Sequence, residues 1–185
     1  MNQPKVLLLN GSPNCNGNTA AMLKTVEAQL HEEGIETTWI HLGNKPVYGC
    51  ISCNGCRQTH RCAIDKDLCN EIIEAIIASD AVIVGSPVYF AGPNGALCAL
   101  LDRVFYAGQD AGSLFSGKAA AALATCWRAG ATATLDRLNK YFTYSQMTVV
   151  SSEYWNMHFD RSDDEFGDRI AVTLAKNMAK ALKKG

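Results

Sequence analysis

Short runs of consecutive apolar residues alternate with stretches of helical periodicity from one end of this chain to the other, and few folds accommodate that alternation. Residues 5–10 contain Val6-Leu7-Leu8-Leu9 with no polar residue interposed, so both faces of the strand they predict must be covered. Residues 19–33 predict a helix with Leu23, Val26 and Leu30 on one face, stopped by Gly34. Further strands are expected at 35–40, 81–85, 119–125 (alanine-rich) and 147–150. Between them, helices are expected at 68–78 behind Asp67 as cap, at 93–106 up to Gly108, and at 132–142. Ser162-x-x-Glu165 reads as a capping box before a last helix with Ile170, Leu174, Met178 and Leu182 on one stripe. Five strands alternating with five helices predict a doubly wound α/β fold of three layers around a five-stranded parallel sheet. No repeat, low-complexity tract or linker interrupts the pattern, so residues 1–185 are expected to form a single domain with a cysteine-rich loop at 41–66.

At 185 residues the chain is long enough to bury an ordinary core. Its formal net charge of −1, with scattered Lys and Arg, lacks the basic footprint of a nucleic-acid binder. Val6–Leu9 is the longest N-terminal apolar run, too short for a signal peptide or a membrane span, so a cytoplasmic protein without a membrane partner is expected. In that reducing compartment, eight cysteines argue for metal or redox chemistry over a disulfide frame.

Doubly wound sheets bind ligands beyond the carboxyl ends of their strands. The segments following the five strands are 11–18, 41–66, 86–92, 126–131 and 151–161, and the unusual residues of the chain fall within them. The first, in NGSPNCNGNTA, joins a buried strand to a helix N-terminus, where free N–H groups and the positive end of the dipole face an anion. Ser12, Asn14, Asn16, Asn18 and Thr19 add uncharged donors, and Gly17 allows close approach of the backbone. Without the lysine of a nucleoside-triphosphatase loop or the G-x-G-x-x-G of a dinucleotide site, the turn suits a single terminal phosphate such as that of FMN.

Strand-GSPNCNGNT-helix, then GSPVYF and a helix containing LLDR, resembles the flavodoxin-like family of NADPH-dependent FMN reductases over nearly the whole chain. The resemblance implies a sheet of order 2-1-3-4-5 and FMN at its switch point, with Ser12, Asn16, Gly17, Asn18 and Thr19 on the phosphate. Many relatives carry an arginine where this chain has Asn14. The similarity also assigns Pro87, Val88, Tyr89 and Phe90 to the isoalloxazine ring, where an aromatic wall and backbone donors tune the flavin; packing of the Tyr-Phe pair into the core is the alternative. In CWRAGA, Gly130 can admit backbone to the pyrimidine edge, and Arg128 either stabilises charge on reduced flavin or is a solvated surface arginine. Asp102-Arg103 reads as a structural ion pair.

Cys50, Cys53, Cys56 and Cys62 stand as C-x2-C-x2-C-x5-C, close enough for four thiols to converge on one ion or cluster. Position and spacing resemble the iron–sulfur flavoproteins, which implies a [4Fe-4S] cluster; zinc and a metal-free loop are the alternatives. The other cysteines, Cys15, Cys69, Cys98 and Cys126, read as small buried hydrophobes.

The expected activity is transfer of a hydride from NADPH or NADH to FMN, then of electrons to a small acceptor: free flavin, a quinone, an azo or nitro compound, or an iron–sulfur centre. No side-chain acid or base is required, so no catalytic residue is assigned. An electron carrier exchanging with ferredoxin, and a flavin-free metal or redox-sensing module, are the alternatives. The resemblance implies a homodimer or homotetramer, with the cysteine loop and residues 153–159 as contact surfaces, since Tyr154, Trp155 and Phe159 are costly to expose together.

Overall fold

The computed structural model describes residues 3–109, 113–159 and 163–183. Its strands are β1 (Lys5–Asn10), β2 (Glu36–His41), β3 (Ala81–Tyr89), β4 (Gly92–Pro93), β5 (Ala119–Cys126), β6 (Thr148–Val149) and β7 (Met157–Phe159). Its helices are α1 (Asn18–Glu32), α2 (Cys56–Thr59), α3 (Cys69–Ile77), α4 (Gly95–Ala107), α5 (Ala131–Tyr144) and α6 (Glu165–Leu182). The main sheet runs β2-β1-β3-β5-β6, all parallel, which is the 2-1-3-4-5 order of the five expected strands.

The pleat explains the layers. Leu7 and Leu9 point from β1 into a core shared with α3, α4 and α5, whereas Val6 and Leu8 point into a second core under α1 and α6. The alternating sides of β3 and β5 divide in the same way: Val82, Val84, Ala120 and Ala122 face the first core, and Ile83, Ala121 and Leu123 the second. A strand buried on both sides needs an unbroken apolar run, and β1 and β5 have one.

Besides the short added elements α2 and β4, three features differ from expectation. β3 continues through Ser86 and Pro87, which pair with Ala124 and Thr125, instead of ending at Gly85. Gly85 is retained there because α1 lies directly on it: a Cβ would sit 2.9 Å from Thr19 Cγ2. Second, the edge strand is split. β6 pairs with the start of β5 and β7 with its end, so residues 157–159, part of a segment expected to be loop, rejoin the sheet. Asn156 bridges the gap, its backbone oxygen accepting from Ala124 N (2.9 Å) and its Nδ2 donating to Ala122 O (3.0 Å). Third, Asp164 caps α6 by accepting from Gly167 N (3.1 Å); the Ser162 of the expected capping box lies outside the described residues. Asp67 does act at the start of α3, accepting from Cys69 N (3.2 Å). Among the described residues no helix is long and apolar enough to cross a membrane.

Candidate functional site: a phosphate turn, an aromatic hairpin and a cysteine loop

The turn from β1 into α1 is shaped by its own side chains. Asn10 Oδ1 accepts from Ser12 N (3.0 Å), Ser12 Oγ from Asn14 N (3.1 Å) and Asn14 Oδ1 from Asn16 N (3.0 Å). Each is a side-chain oxygen bonding a backbone N–H two residues on, which curls the chain without strands or helix. The oxygens of Ser12 and Asn14 therefore build the turn, leaving the Ser12 O–H and the Asn14 NH2 as the donors they can offer a ligand. Gly17, the N-cap of α1, has no side chain to cap the first turn, and no acidic residue lies in that turn. An uncapped helix start ringed by neutral donors fits a phosphate. Asn14, Asn16 and Asn18 are exposed and Thr19 is buried, its hydroxyl 2.7 Å from that of Thr125 on β5. Thr19 therefore ties α1 to the sheet through its hydroxyl.

Beyond Pro87, the chain makes a two-residue hairpin in which Val88–Tyr89 pair with Gly92–Pro93 and the central residues Phe90 and Ala91 have φ of 49° and 61°. Positive φ at both centres marks a type I′ turn, which normally uses Asn and Gly. Non-glycine residues held there cost about 1 kcal/mol each, a strain found mostly at functional sites. Phe90 is fully exposed and Tyr89 half exposed, which removes the core-packing alternative for the pair. Gly130, at φ +91°, lies against this hairpin: a Cβ would be 2.5 Å from Ala91 Cα and 2.8 Å from Val88 Cγ1. Two of the expected ring segments are thus in contact. Arg128 and Trp127 extend from the same loop into solvent, and no hydrogen bond or ion pair ties Arg128 to the described residues.

Asn94, which carried no signal in the sequence, joins these parts. Its Nδ2 donates to Gly11 O (2.7 Å), its N–H to Ser86 Oγ (3.0 Å), and its Oδ1 accepts from Ala96 N (3.1 Å) at the start of α4. Gly11 N in turn donates to Gly85 O (2.8 Å). The phosphate turn, the hairpin and α4 share one buried amide as their junction.

The cysteine loop leaves the same sheet edge after β2 but packs down the side of α4. All eight cysteines are free. Cys50, Cys53, Cys56 and Cys62 line one small hollow together with Ile64, Arg103 and Tyr106. Burial pushes the Cys56 thiol up, and the neighbouring charges of Cys62, Cys53 and Cys50 push it further. The loop curls through Ser52, Asn54 and His60 at φ of 55°, 58° and 53°. As placed, no three His, Cys, Asp or Glu side chains among the described residues converge at metal-ligand distance. The donor set nonetheless fits a thiolate-bound centre: four unbridged thiols around one hollow, and a buried, unpartnered Nδ1 on His60 within the loop.

Arg103 departs from the structural pair expected with its neighbour. It does not bond Asp102, which instead bonds Arg137 (2.8 Å) and the Tyr141 hydroxyl (2.5 Å). Arg103 reaches under the cysteine loop, where it pairs with Asp67 and donates to Cys62 Sγ (3.3 Å), Tyr48 O (3.1 Å) and Ile64 O (2.8 Å). Burial works against its charge, but Asp67 and Cys62 outweigh it and hold the guanidinium protonated. Burial likewise raises Asp67, yet the bonds from Arg103 and from the N–H groups of Tyr48 and Cys69 bring its carboxyl below the ordinary range. Asn70 completes the bracket, accepting from Cys62 N (2.8 Å) and donating to Cys62 O (3.0 Å). Of the remaining cysteines, Cys69 and Cys126 are buried as expected, Cys98 is half-buried and Cys15 is exposed.

Comparison with known proteins gives the family and the fold. The family model for NADPH-dependent FMN reductases matches residues 4–162. An iron–sulfur flavoprotein of Methanocaldococcus jannaschii is 31% identical, with 97% of each chain covered. One of Methanosarcina thermophila is 28% identical over 97% of this chain and 95% of its own. Among solved structures, RosB with bound 8-demethyl-8-formylriboflavin-5′-phosphate shares the fold, with a TM-score of 0.76 at 14% identity over 98% of this chain and 79% of that one. The chain belongs to the NADPH-dependent FMN reductase family, and with it to the flavoprotein oxidoreductases.

Proposed function

We propose that this chain is an FMN-dependent NAD(P)H oxidoreductase that passes electrons from a nicotinamide to a small acceptor such as a flavin, quinone, azo or nitro compound. One observation carries the reading: an uncapped helix N-terminus in a turn of neutral donors, joined through Asn94 to a strained aromatic hairpin. Bound FMN would supply hydride acceptance from a nicotinamide and onward release of electrons. The protein's part is binding and orientation. Ser12, Asn14, Asn16, Gly17, Asn18 and Thr19 would hold the phosphate through hydroxyl, amide and backbone donors. Pro87, Val88, Tyr89 and Phe90 would flank the ring, with Gly130 admitting close approach and Arg128 offering an exposed positive charge at the mouth. Anaerobic mixing of the FMN-loaded protein with NADPH or NADH tests this. Rapid loss of the flavin absorption band with either supports it, and reduction by neither overturns it.

A second reading, an iron–sulfur flavoprotein that exchanges electrons with ferredoxin, is favoured by the four free thiols around one hollow and by the two archaeal relatives. On that reading Cys50, Cys53, Cys56 and Cys62 would hold a [4Fe-4S] cluster, and reduction by ferredoxin alone would distinguish it. Eight cysteines without a disulfide support a cytoplasmic setting. Tyr154 and Trp155, 47% and 55% exposed and in ring contact with each other, support a homodimer through the 153–159 segment, which light scattering at micromolar concentration tests. A monomer there would remove it.

A further inference from the structure

We propose that Arg103 is the positioning residue of the four-cysteine centre: its buried guanidinium clamps both legs of the loop and aims an N–H at the Cys62 sulfur, which sets how readily that centre accepts an electron. This rests on the four-thiolate reading above. Arg103 has a side chain only 1% exposed and four acceptors, and none of the four lies on its own helix. Tyr48 stands two residues before Cys50 and Ile64 two residues after Cys62, so the two carbonyls it binds are the entry and exit of the loop. Asp67 adds a second tie by accepting from Tyr48 N (3.0 Å). A guanidinium serving only as an ion-pair partner would need Asp67 alone; this one spends its other donors on the cysteine loop.

Cys62 is the thiol most firmly placed. Asn70 holds its N–H and its carbonyl, and Arg103 holds its sulfur, whereas Cys50 and Cys53 are exposed. Adding one electron to a thiolate-bound centre makes or breaks no bond and makes its charge more negative by one. A fixed positive N–H donor to a ligand sulfur stabilises that added charge and raises the reduction potential. The electron comes from a low-potential donor, dithionite in the test.

The test uses Arg103→Lys in the full chain. Lysine keeps a charge beside Asp67 but lacks the planar fork, so it cannot reach Cys62 Sγ, Tyr48 O and Ile64 O together. Both proteins are reconstituted anaerobically with iron and sulfide, their iron and sulfide contents are measured, and the midpoint is read by EPR during titration. Before loading, hydrogen exchange is followed over the amides of residues 48–67. The variant is expected to load less of the centre, or to load fully with its reduction equilibrium shifted about tenfold toward the oxidised form, about 59 mV for one electron. Its loop amides are expected to exchange about tenfold faster. Full loading with an unchanged midpoint overturns the proposal, whatever the exchange rates. Should the wild-type chain take up neither iron nor sulfide, the four-thiolate reading falls by itself. The clamp is then decided by exchange alone: faster exchange upholds it and equal protection overturns it. If Arg103→Lys fails to fold, the neutral pair Arg103→Gln with Asp67→Asn replaces it, and the same measurements decide in the same way.

Discussion

The phosphate turn and the cysteine loop leave the carboxyl ends of two neighbouring parallel strands, β1 and β2, yet they are held in opposite ways. The turn is braced from within: Asn10, Ser12 and Asn14 bond N–H groups two residues on. The loop is braced from outside, by Arg103 and Asn70 on helices that come later in the chain. The turn uses neutral dipoles, whereas the loop uses a buried charge pair. A self-braced turn of dipoles can hold an anion without a countercharge, because the helix N-terminus supplies the field. On the four-thiolate reading the thiols would carry negative charge, and Arg103, paired with Asp67, is the cation that donates to one of them. Helix α4 touches both regions, with Asn94 at its start and Arg103 nine residues on, roughly 13 Å along the axis.

The sharpest way to break the contrast is to remove the external brace. Arg103→Met would leave Asp67 buried without its partner, and losing one member of a buried pair costs about 3–5 kcal/mol. Urea unfolding of the variant is expected to show that loss. A change below about 1 kcal/mol would mean that the pair is solvated in solution and the loop is not braced by it. A different limit applies at Gly130, which lies against the aromatic hairpin. Gly130→Ala forces a side chain into left-handed geometry, about 1–2 kcal/mol, and places a Cβ 2.5 Å from Ala91 Cα. The expected result is a destabilisation of about 2–4 kcal/mol with weaker FMN binding by fluorescence titration, because the hairpin must shift. Wild-type affinity in this variant would mean that the hairpin does not flank the ring.

That contrast also explains what the sequence could reveal. The turn was legible because its ligands to itself are two residues apart: a strand, a run of Ser, Asn and Gly, and a helix appear in one window. That β1 is covered on both faces was legible too, from its unbroken apolar run. Arg103 was not, because its partners Tyr48, Cys62 and Ile64 lie 39 or more residues away, and its neighbour Asp102 offered a nearer and wrong one. A signal did exist: a lone arginine at a position of α4 flanked by Leu100, Leu101 and Val104 lies on the helix's buried face, where a charge needs a partner. The split edge strand left no local pattern, since it depends on how β5 meets segments far from it, and the junction made by Asn94 left none because Gly11 lies 83 residues away.

A smaller effect separates the regions by pH. Asp67 has its carboxyl below the ordinary range when folded, so its contribution to stability is complete above the unfolded-state value of about 4 and is lost as pH falls through the lower folded value. Stability followed by urea melts is therefore expected to decline below about pH 4 in the wild type. The decline should be shallower in the Arg103→Gln, Asp67→Asn pair. An identical acid limb would show that Asp67 is not held by Arg103 in solution.

The smallest expected effect acts on the turn. Asn14 shapes it through its Oδ1 and carries no charge, so Asn14→Arg exchanges a shaping bond for a cation. Loss of the bond to Asn16 N costs about 0.5–1.5 kcal/mol, while an arginine beside a phosphate gains about 1.5–3 kcal/mol as a charge-assisted pair. The two partly cancel, and the net expectation is FMN bound about three- to tenfold more tightly, with the gain diminishing as salt is raised. Equilibrium dialysis at low and high ionic strength reads both quantities. Weaker binding at every salt concentration would mean that the turn's shape, held by Asn14, matters more to the phosphate than added charge does, and the self-braced geometry would then be the main determinant of affinity.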